Sequence, residues 1–434
     1  MMSPVERRTC ASIAAILTVG LVFVAGCEPT DFSDVDLYGQ TETQPEPPPD
    51  QVAPPADGDG QDQTNAPPAT PAGGYQIASI GSEERCGSFE GDRPSIAVDS
   101  LDQPHAVVDR GSGNTLYIYH RIGNVWTELV LAKGSQGGTY NASRIYMPHV
   151  EIDKKDRAWI SAKFGCKEYG SMSGQGLWCY ENITTAPSKK FFKWVPSSVT
   201  HKGNGNIALD PNEPNAGYML ASGGRWAKIN DSGNVVATGS WNVGPSGEKI
   251  RGEISPRTGQ AGVWHSAMNG YDECSSSYQN SLRNAAGKDP VVWASYSKYP
   301  EQGIDTYHPG IGIDLVDPEV CYISATFNVG PVINVWNGEK FVWGASSLPV
   351  LESGGSAGID RFGPQWAPTR DGGAYVSWTK SGRIKMQHVK SNGTMGGIVD
   401  VCAGRAASIC TDSAGHLHMI YDNGGMCYRK ITLK

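Results

Sequence analysis

The sequence lacks the periodicity of α-helices. No stretch of twelve residues holds a clean 3.6-residue repeat of apolar side chains, and alanine-rich heptads are absent. Glycine is abundant instead, with 54 residues, and tryptophan and tyrosine are frequent. This composition argues against a helical protein and favours an all-β chain with many turns.

Positive charge is also scarce. The chain carries 36 Lys and Arg against 44 Asp and Glu, so its formal net charge is −8. A nucleic-acid-binding surface needs the opposite balance, so no nucleic-acid partner is expected. The sequence has no CxxC spacing and no His-x-x-x-His spacing, so no zinc site is predicted. No cofactor is predicted, and a structural calcium or other divalent ion stays open.

The N-terminal residues have the pattern of an export signal. Charged residues at Glu6-Arg7-Arg8 precede an apolar run, Ala11 to Ala25, that is short for a membrane-spanning helix. The run ends in Val24-Ala25-Gly26-Cys27, which resembles the lipobox of bacterial lipoproteins. The resemblance implies that residues 1–26 are a signal peptide and that the Cys27 thiol is acylated. The alternative is an ordinary secretory signal with a chance cysteine.

The lipobox resemblance also implies a location. Acylated Cys27 would anchor the chain in a lipid bilayer of the bacterial cell envelope. Glu28 follows it, where an Asp marks retention at the inner membrane, so the outer membrane is favoured. Residues 27–73 contain many prolines among Asp, Gln, Thr and Gly and almost no large apolar side chains. They are predicted to form a disordered, extended tether.

The folded domain is predicted over residues 74–434, and its organising stretch is Asp92 to Asp109. Ile96 and Val98 alternate with small residues, Asp99 to Pro104 supply turn chemistry, and His105 to Val108 are apolar again. The stretch therefore predicts a strand, a tight turn and a second strand. Its turn residue Asp99 and the following His105 are interpreted as structural, as is the equivalent His418.

The same pattern recurs to the C-terminus. Each repeat starts with a small residue, and an Asp often falls five positions later. The anchors, about 43 to 57 residues apart, are Pro94, Pro148, Gly205, Gly252, Pro309, Pro364 and Ala407. The last repeat has room for only three strands, and the segment Gly74 to Ile80 can supply the fourth. The count predicts a seven-bladed β-propeller of four-stranded blades, closed by that N-terminal strand, with six or eight blades as the alternative.

The repeat pattern Pro-x-Ile-x-Val-Asp, followed six residues later by His, resembles the BNR-like seven-bladed propellers of secreted bacterial proteins. That family includes sialidase-like proteins and propeller-fold polysaccharide lyases, and the resemblance covers residues 74–434. The sialidase Asp box is absent, and Arg144-Ile-Tyr146 replaces the Arg-Ile-Pro start of sialidases. Sialic acid hydrolysis is therefore disfavoured, and the fold alone does not define the activity.

Residues beside the anchors are predicted to face one mouth of the central channel, where Arg, His and Tyr concentrate. Such a cationic site suits an anionic ligand. We interpret it as a site for β-elimination from a uronate polysaccharide, in which Arg neutralises the carboxylate and His or Tyr transfers protons. The candidate catalytic residues are His149, His308, Tyr307, Tyr146 and His265. The candidate substrate-binding residues are Arg93, Arg251, Arg361, Arg405, Lys163 and Asn204.

Two alternatives to a lyase stay open. A glycoside hydrolase would need paired carboxylates, for which only Asp109 and Glu253 are candidates. A non-catalytic propeller would present the same mouth to a glycan or a protein. Eight cysteines lie in the folded domain, and Cys166 with Cys179 is the favoured disulfide. The chain is expected to be a monomer.

Overall fold

The computed structural model describes most of the chain after residue 75. The described residues are 76–110, 115–133, 142–166, 173–195, 206–209, 213, 215–221, 225–240, 247–255, 262–269, 279–283, 291–295, 310–327, 330–344, 347–352 and 363–434. Among them every regular element is a β-strand, so the prediction of an all-β chain is confirmed. Within the same ranges no helix is long and apolar enough to cross a membrane. Cys27 and the tether lie outside the described residues.

The described strands form seven antiparallel sheets, numbered here in chain order. The first sheet contains β3 (Asp92–Val98), β4 (Pro104–Arg110), β5 (Thr115–Ile122) and β6 (Val125–Lys133). The second contains β7 (Ala142–Ile152), β8 (Ala158–Cys166), β9 (Ser173–Glu181) and β10 (Ser188–Val195). The third contains β11 (Ile207–Leu209), β12 (Ala216–Ala221), β13 (Arg225–Asn230) and β14 (Val235–Ser240). Each sheet is an up-and-down meander.

The remaining sheets continue the pattern. The fourth contains β15 (Gly247–Ser255), β16 (Gly262–Asn269), β17 (Gln279–Arg283) and β18 (Val291–Ser295). The fifth contains β19 (Gly310–Ile313), β20 (Val320–Phe327) and β21 (Gly330–Asn337). The sixth contains β22 (Gln365–Thr369), β23 (Gly373–Lys380), β24 (Arg383–Lys390) and β25 (Val399–Ala403). The seventh contains β26 (Arg405–Thr411), β27 (Leu417–Asp422), β28 (Met426–Leu433), β1 (Ile77–Ile80) and β2 (Glu84–Arg85).

The two ends of the chain meet in the seventh sheet. β1 pairs antiparallel with β28, with Ile77 opposite Leu433 and Ile80 opposite Ile431. The short strand β2 pairs further along β28, with Glu84 opposite Tyr428. The N-terminal segment therefore occupies the outer edge of this sheet and covers hydrogen-bonding groups that an open edge would expose.

The first strands of the sheets lie side by side in sequence order. β3 contacts β7, β7 contacts β11, and the series continues through β15, β19 and β22 to β26, which contacts β3. The close approach of β19 to β22 requires a glycine, because a Cβ at Gly310 would collide with the carbonyl oxygen of Pro364.

The second strands supply the core between neighbouring sheets. In β4, Val107 packs towards the second sheet against Ile160 and Trp178. Its neighbours Ala106 and Val108 point the other way and pack towards the seventh sheet with Ile420 and Tyr428. Because both faces of β4 are buried, its apolar residues form a continuous run rather than an alternation.

The repeated Asp is a turn residue, as predicted. Asp99 Oδ1 accepts hydrogen bonds from the backbone N–H groups of Leu101 and Gln103, both at 2.9 Å. Its other oxygen lies 2.9 Å from Nε2 of His105. His105 is therefore held by the turn carboxylate rather than by the turn backbone.

The same connection recurs in other sheets with other partners. Asp412 binds His418 at 3.1 Å, Asp153 accepts the indole N–H of Trp159 at 3.0 Å, and Asp314 accepts the hydroxyl of Tyr322 at 2.5 Å. The Asp of the first turn therefore anchors a large side chain of the second strand in each of these sheets.

The predicted disulfide between Cys166 and Cys179 is wrong. Cys179 is a buried free thiol, and its Cα partner in β8 is Trp159. Cys166 ends β8 opposite Ala142, one residue beyond the Gly165–Ser173 pair. At roughly 3.3 Å per residue along β9, the two cysteines are about 20 Å apart, too far for a disulfide.

Candidate functional site

The first strands surround a cavity of about 470 Å³. Its lining is about half apolar, with contributions from Ile96, Val98, Val150, Ile152, Ile311 and Ile313. Polar side chains in the lining are Ser95, His149, Glu151, Asn206, Gln365 and Thr411. A concave site that combines apolar surface with convergent polar groups is the usual form of a small-ligand site.

His149, a predicted catalytic residue, lies in this cavity. It follows Pro148 in β7, so the alternation of the strand directs both His149 and Glu151 to the same face. His149 Nε2 is 3.2 Å from Glu151 Oε1, and the two side chains are 20% and 24% exposed. The imidazole is thus close to a carboxylate and accessible to a ligand in the cavity.

Two neighbouring sheets hold this pair in place. Glu151 Oε2 accepts the backbone N–H of Leu209 in β11 at 2.9 Å. His149 Nδ1 lies 3.2 Å from Ser95 Oγ of β3, and Ser95 Oγ also accepts the backbone N–H of Val150 at 3.1 Å. Residues of the first, second and third sheets therefore meet at one point of the cavity wall.

Arg405, a predicted substrate-binding residue, has an ion-pair partner within the protein. Its Nε donates to Asp422 Oδ2 at 2.9 Å, and its guanidinium also reaches Glu90 at 3.4 Å. Asp422 is only 1% exposed, so Arg405 neutralises a buried carboxylate.

The structure places several other predicted residues by their backbone alone. Tyr146 lies in β7 opposite Lys163 of β8, and Lys163 is half-buried. Arg251 of β15 lies opposite Ser266, and His265 of β16 lies opposite Gly252, which brings the two predicted residues onto adjacent strands. Arg93 lies in β3. The side chains of Arg93, Tyr146, Arg251 and His265 lie outside the description, as do the whole residues Asn204, Tyr307, His308 and Arg361.

Sequence reasoning missed Ser95 and Glu151. Strand alternation alone could have indicated Glu151, because it stands two residues after His149. Of the two carboxylates considered for a hydrolase, Asp109 is 2% exposed and does not line the cavity, whereas the side chain of Glu253 lies outside the description.

No protein-family model matches the chain, and no curated protein matches it. Similar solved structures include a Hadza microbial sialidase, with 11% identity and a TM-score of 0.44 over 79% of this chain and 66% of that chain. A glucose dehydrogenase shares 11% identity at a TM-score of 0.38, over 81% of this chain and 99% of that chain. BBS1N, solved in complex with ARL6DN, shares 10% identity at a TM-score of 0.46, over 82% and 96%. These scores are low, so the interpretation of the site rests on the contacts within this chain.

Proposed function

We propose that the seven sheets are the blades of one closed β-propeller of the BNR-like type. The supporting observations are the continuous series of contacts between first strands and the pairing of β1 with β28. Acylation of Cys27 would attach this propeller to the outer membrane through the 27–73 tether. The membrane anchor and the tether are part of the proposal, and they follow from the lipobox and the composition of residues 27–73.

We further propose that the chain is carbohydrate-active and cleaves an anionic, uronate-containing polysaccharide by β-elimination. The observation that carries this proposal is the accessible His149 beside Glu151 in the cavity. A nearby carboxylate stabilises the protonated imidazole, so it strengthens His149 as a proton acceptor.

The other predicted residues complete this mechanism. Arg93, Arg251 and Arg361 would neutralise the uronate carboxylate and so acidify the adjacent C–H group. His149 or His308 would remove that proton, and Tyr307, Tyr146 or His265 would protonate the leaving oxygen. Arg405, which is half exposed beside Asp422, would belong to the same substrate-binding set, together with Lys163 and Asn204.

The test is cleavage of uronate polysaccharides by the purified full chain, followed through the ultraviolet absorbance of unsaturated uronate. Wild-type protein should release this product, and His149→Gln should lower the rate by about 10²- to 10⁴-fold. His416→Gln is the matched control, since His416 is also partly exposed but does not line the cavity. Absence of product across the polysaccharides would contradict the lyase.

The pairing of Arg405 favours one alternative, a non-catalytic propeller that binds a glycan or a protein. An Arg that already pairs with a buried carboxylate has a structural role that needs no substrate. This alternative predicts glycan-array binding by the wild-type chain that is unchanged in His149→Gln, together with no polysaccharide cleavage.

A further inference from the structure

Three side chains form a hydrogen-bonded series along the cavity wall. Ser95 Oγ lies 3.2 Å from His149 Nδ1, and His149 Nε2 lies 3.2 Å from Glu151 Oε1. The far oxygen of Glu151 is fixed by the backbone N–H of Leu209 at 2.9 Å. A hydroxyl, an imidazole and an anchored carboxylate in this order define an activated nucleophile.

The hydrogen bonds also set the direction of proton transfer. An ionised Glu151 carboxylate can only accept, so the hydrogen of a neutral His149 ring lies on Nε2 and is donated to Glu151. Nδ1 is then the unprotonated nitrogen and accepts the hydroxyl hydrogen of Ser95, whose oxygen accepts the N–H of Val150. This tautomer is the one that can receive the serine proton, and the carboxylate stabilises the resulting imidazolium.

We propose that Ser95, His149 and Glu151 form an acyl-transfer site that hydrolyses carboxylic esters in the central cavity. Ser95 is the nucleophile, His149 is the general base and then the general acid, and Glu151 is a positioning residue for His149. This activity goes beyond β-elimination and does not rest on it.

The reaction has two balanced steps. Ser95 Oγ bonds to the carbonyl carbon of the ester while its proton passes to His149 Nδ1. The C–O bond then breaks, the alkoxide takes that proton and leaves as an alcohol, and Ser95 carries the acyl group. In the second step, water attacks the acyl carbon and gives a proton to His149 Nδ1. The carboxylic acid leaves as Ser95 Oγ regains the proton.

The cavity fits the acyl part of such an ester. Its partly exposed aliphatic residues, Val98 and Ile152, offer apolar surface to a short acyl group. A short-chain ester, such as an O-acyl group on a sugar, is the substrate class that this chemistry implies.

The first experiment needs no variant. The folded full chain is treated with a fluorophosphonate probe, and the modified residue is located by peptide mass spectrometry. A covalent adduct on Ser95, reduced by prior incubation with a short-chain p-nitrophenyl ester, is expected. An intact Ser95 after prolonged treatment would overturn the proposal.

Variants then separate chemistry from structure in p-nitrophenyl acetate hydrolysis. Ser95→Ala and His149→Gln should each lower the rate by at least about a hundredfold. The matched control is Ser324→Ala, because Ser324 is also a buried serine whose Oγ bonds across sheets, to Pro364 O and Trp366 Nε1, and it does not line the cavity. Equal rates for Ser95→Ala and Ser324→Ala would refute a nucleophilic Ser95.

Glu151→Gln tests the positioning role. It should lower the rate less than His149→Gln and move the acidic, ascending limb of the pH–rate profile to lower pH, since a carboxylate no longer stabilises the imidazolium. An unchanged profile would argue against this role. The released carboxylic acid also distinguishes ester hydrolysis from β-elimination, whose product is an unsaturated uronate, so either activity can fail without the other.

Discussion

A fully buried pair of histidines in the first sheet predicts that the folded domain loses stability below neutral pH. His105 and His120 are both 0% exposed, and their Nδ1 atoms lie 2.8 Å apart. His105 also contacts Asp99, whereas Nε2 of His120 has no hydrogen-bond partner among the described residues. Burial, together with the adjacent His105, lowers the pKa of His120 from 6.5 to about 3.

The sign of the effect follows from this lowered pKa. Below pH 6.5 the unfolded chain takes up a proton on His120, whereas the folded chain keeps the residue neutral down to about pH 3. The stability is therefore fully present above the unfolded pKa and is lost as the pH falls through this window. Integration of the proton linkage from pH 7.5 to pH 5 gives a loss of about 2 kcal/mol in the free energy of unfolding from this residue.

His120→Asn is the informative variant, because the Asn amide N–H can replace Nδ1–H towards His105 and does not titrate. Urea unfolding at several pH values should show a difference in pH dependence between wild type and variant of about 2 kcal/mol over that range. Burial also lowers the pKa of His388 and His418. Both residues are present in wild type and variant, so their contributions to the pH dependence cancel in the difference. Parallel stability curves for wild type and His120→Asn would refute the reasoning.

Two further predictions concern the ion pair and the thiols. Arg405→Ala leaves the buried carboxylate of Asp422 without its cation, so it should lower the free energy of unfolding by about 1–3 kcal/mol in urea titrations. Arg383→Ala, which breaks an exposed pair, should change the free energy of unfolding much less than Arg405→Ala does, and equal effects would contradict a structural Arg405. Burial raises the pKa of Cys179 to about 12, so its thiol should react with a thiol reagent only after denaturation. Reductant should leave stability unchanged, and a mass shift on reduction that maps to Cys179 would show a disulfide instead.

The strands and turns were predictable because their signals are local. Ile96, Val98 and the turn at Asp99 predicted β3 and β4, and the structure has both strands with the turn between them. In each case alternation and turn chemistry within one hairpin carry the information.

The absence of the disulfide was not predictable, because it depends on strand register rather than on a local signal. Cys166 and Cys179 are separated by few residues, which suggested two sides of one hairpin tip. Their distance instead depends on how far β9 extends before the chain turns, and β9 begins at Ser173 and continues to Glu181. Cysteine spacing in sequence does not fix this register.

Of Ser95, His149 and Glu151, only His149 was predicted from the sequence. His149 was predictable as a candidate because it directly follows the repeat anchor Pro148. Ser95 stands at the position after Pro94, in a different repeat, and nothing in its own surroundings marks it as a partner of His149. The contact arises because β3 and β7 lie side by side, and Glu151 is fixed by β11 in turn. The relative placement of three sheets therefore creates the series from Ser95 to Glu151. A change that separates these sheets without unfolding them should abolish ester hydrolysis while the described strands persist.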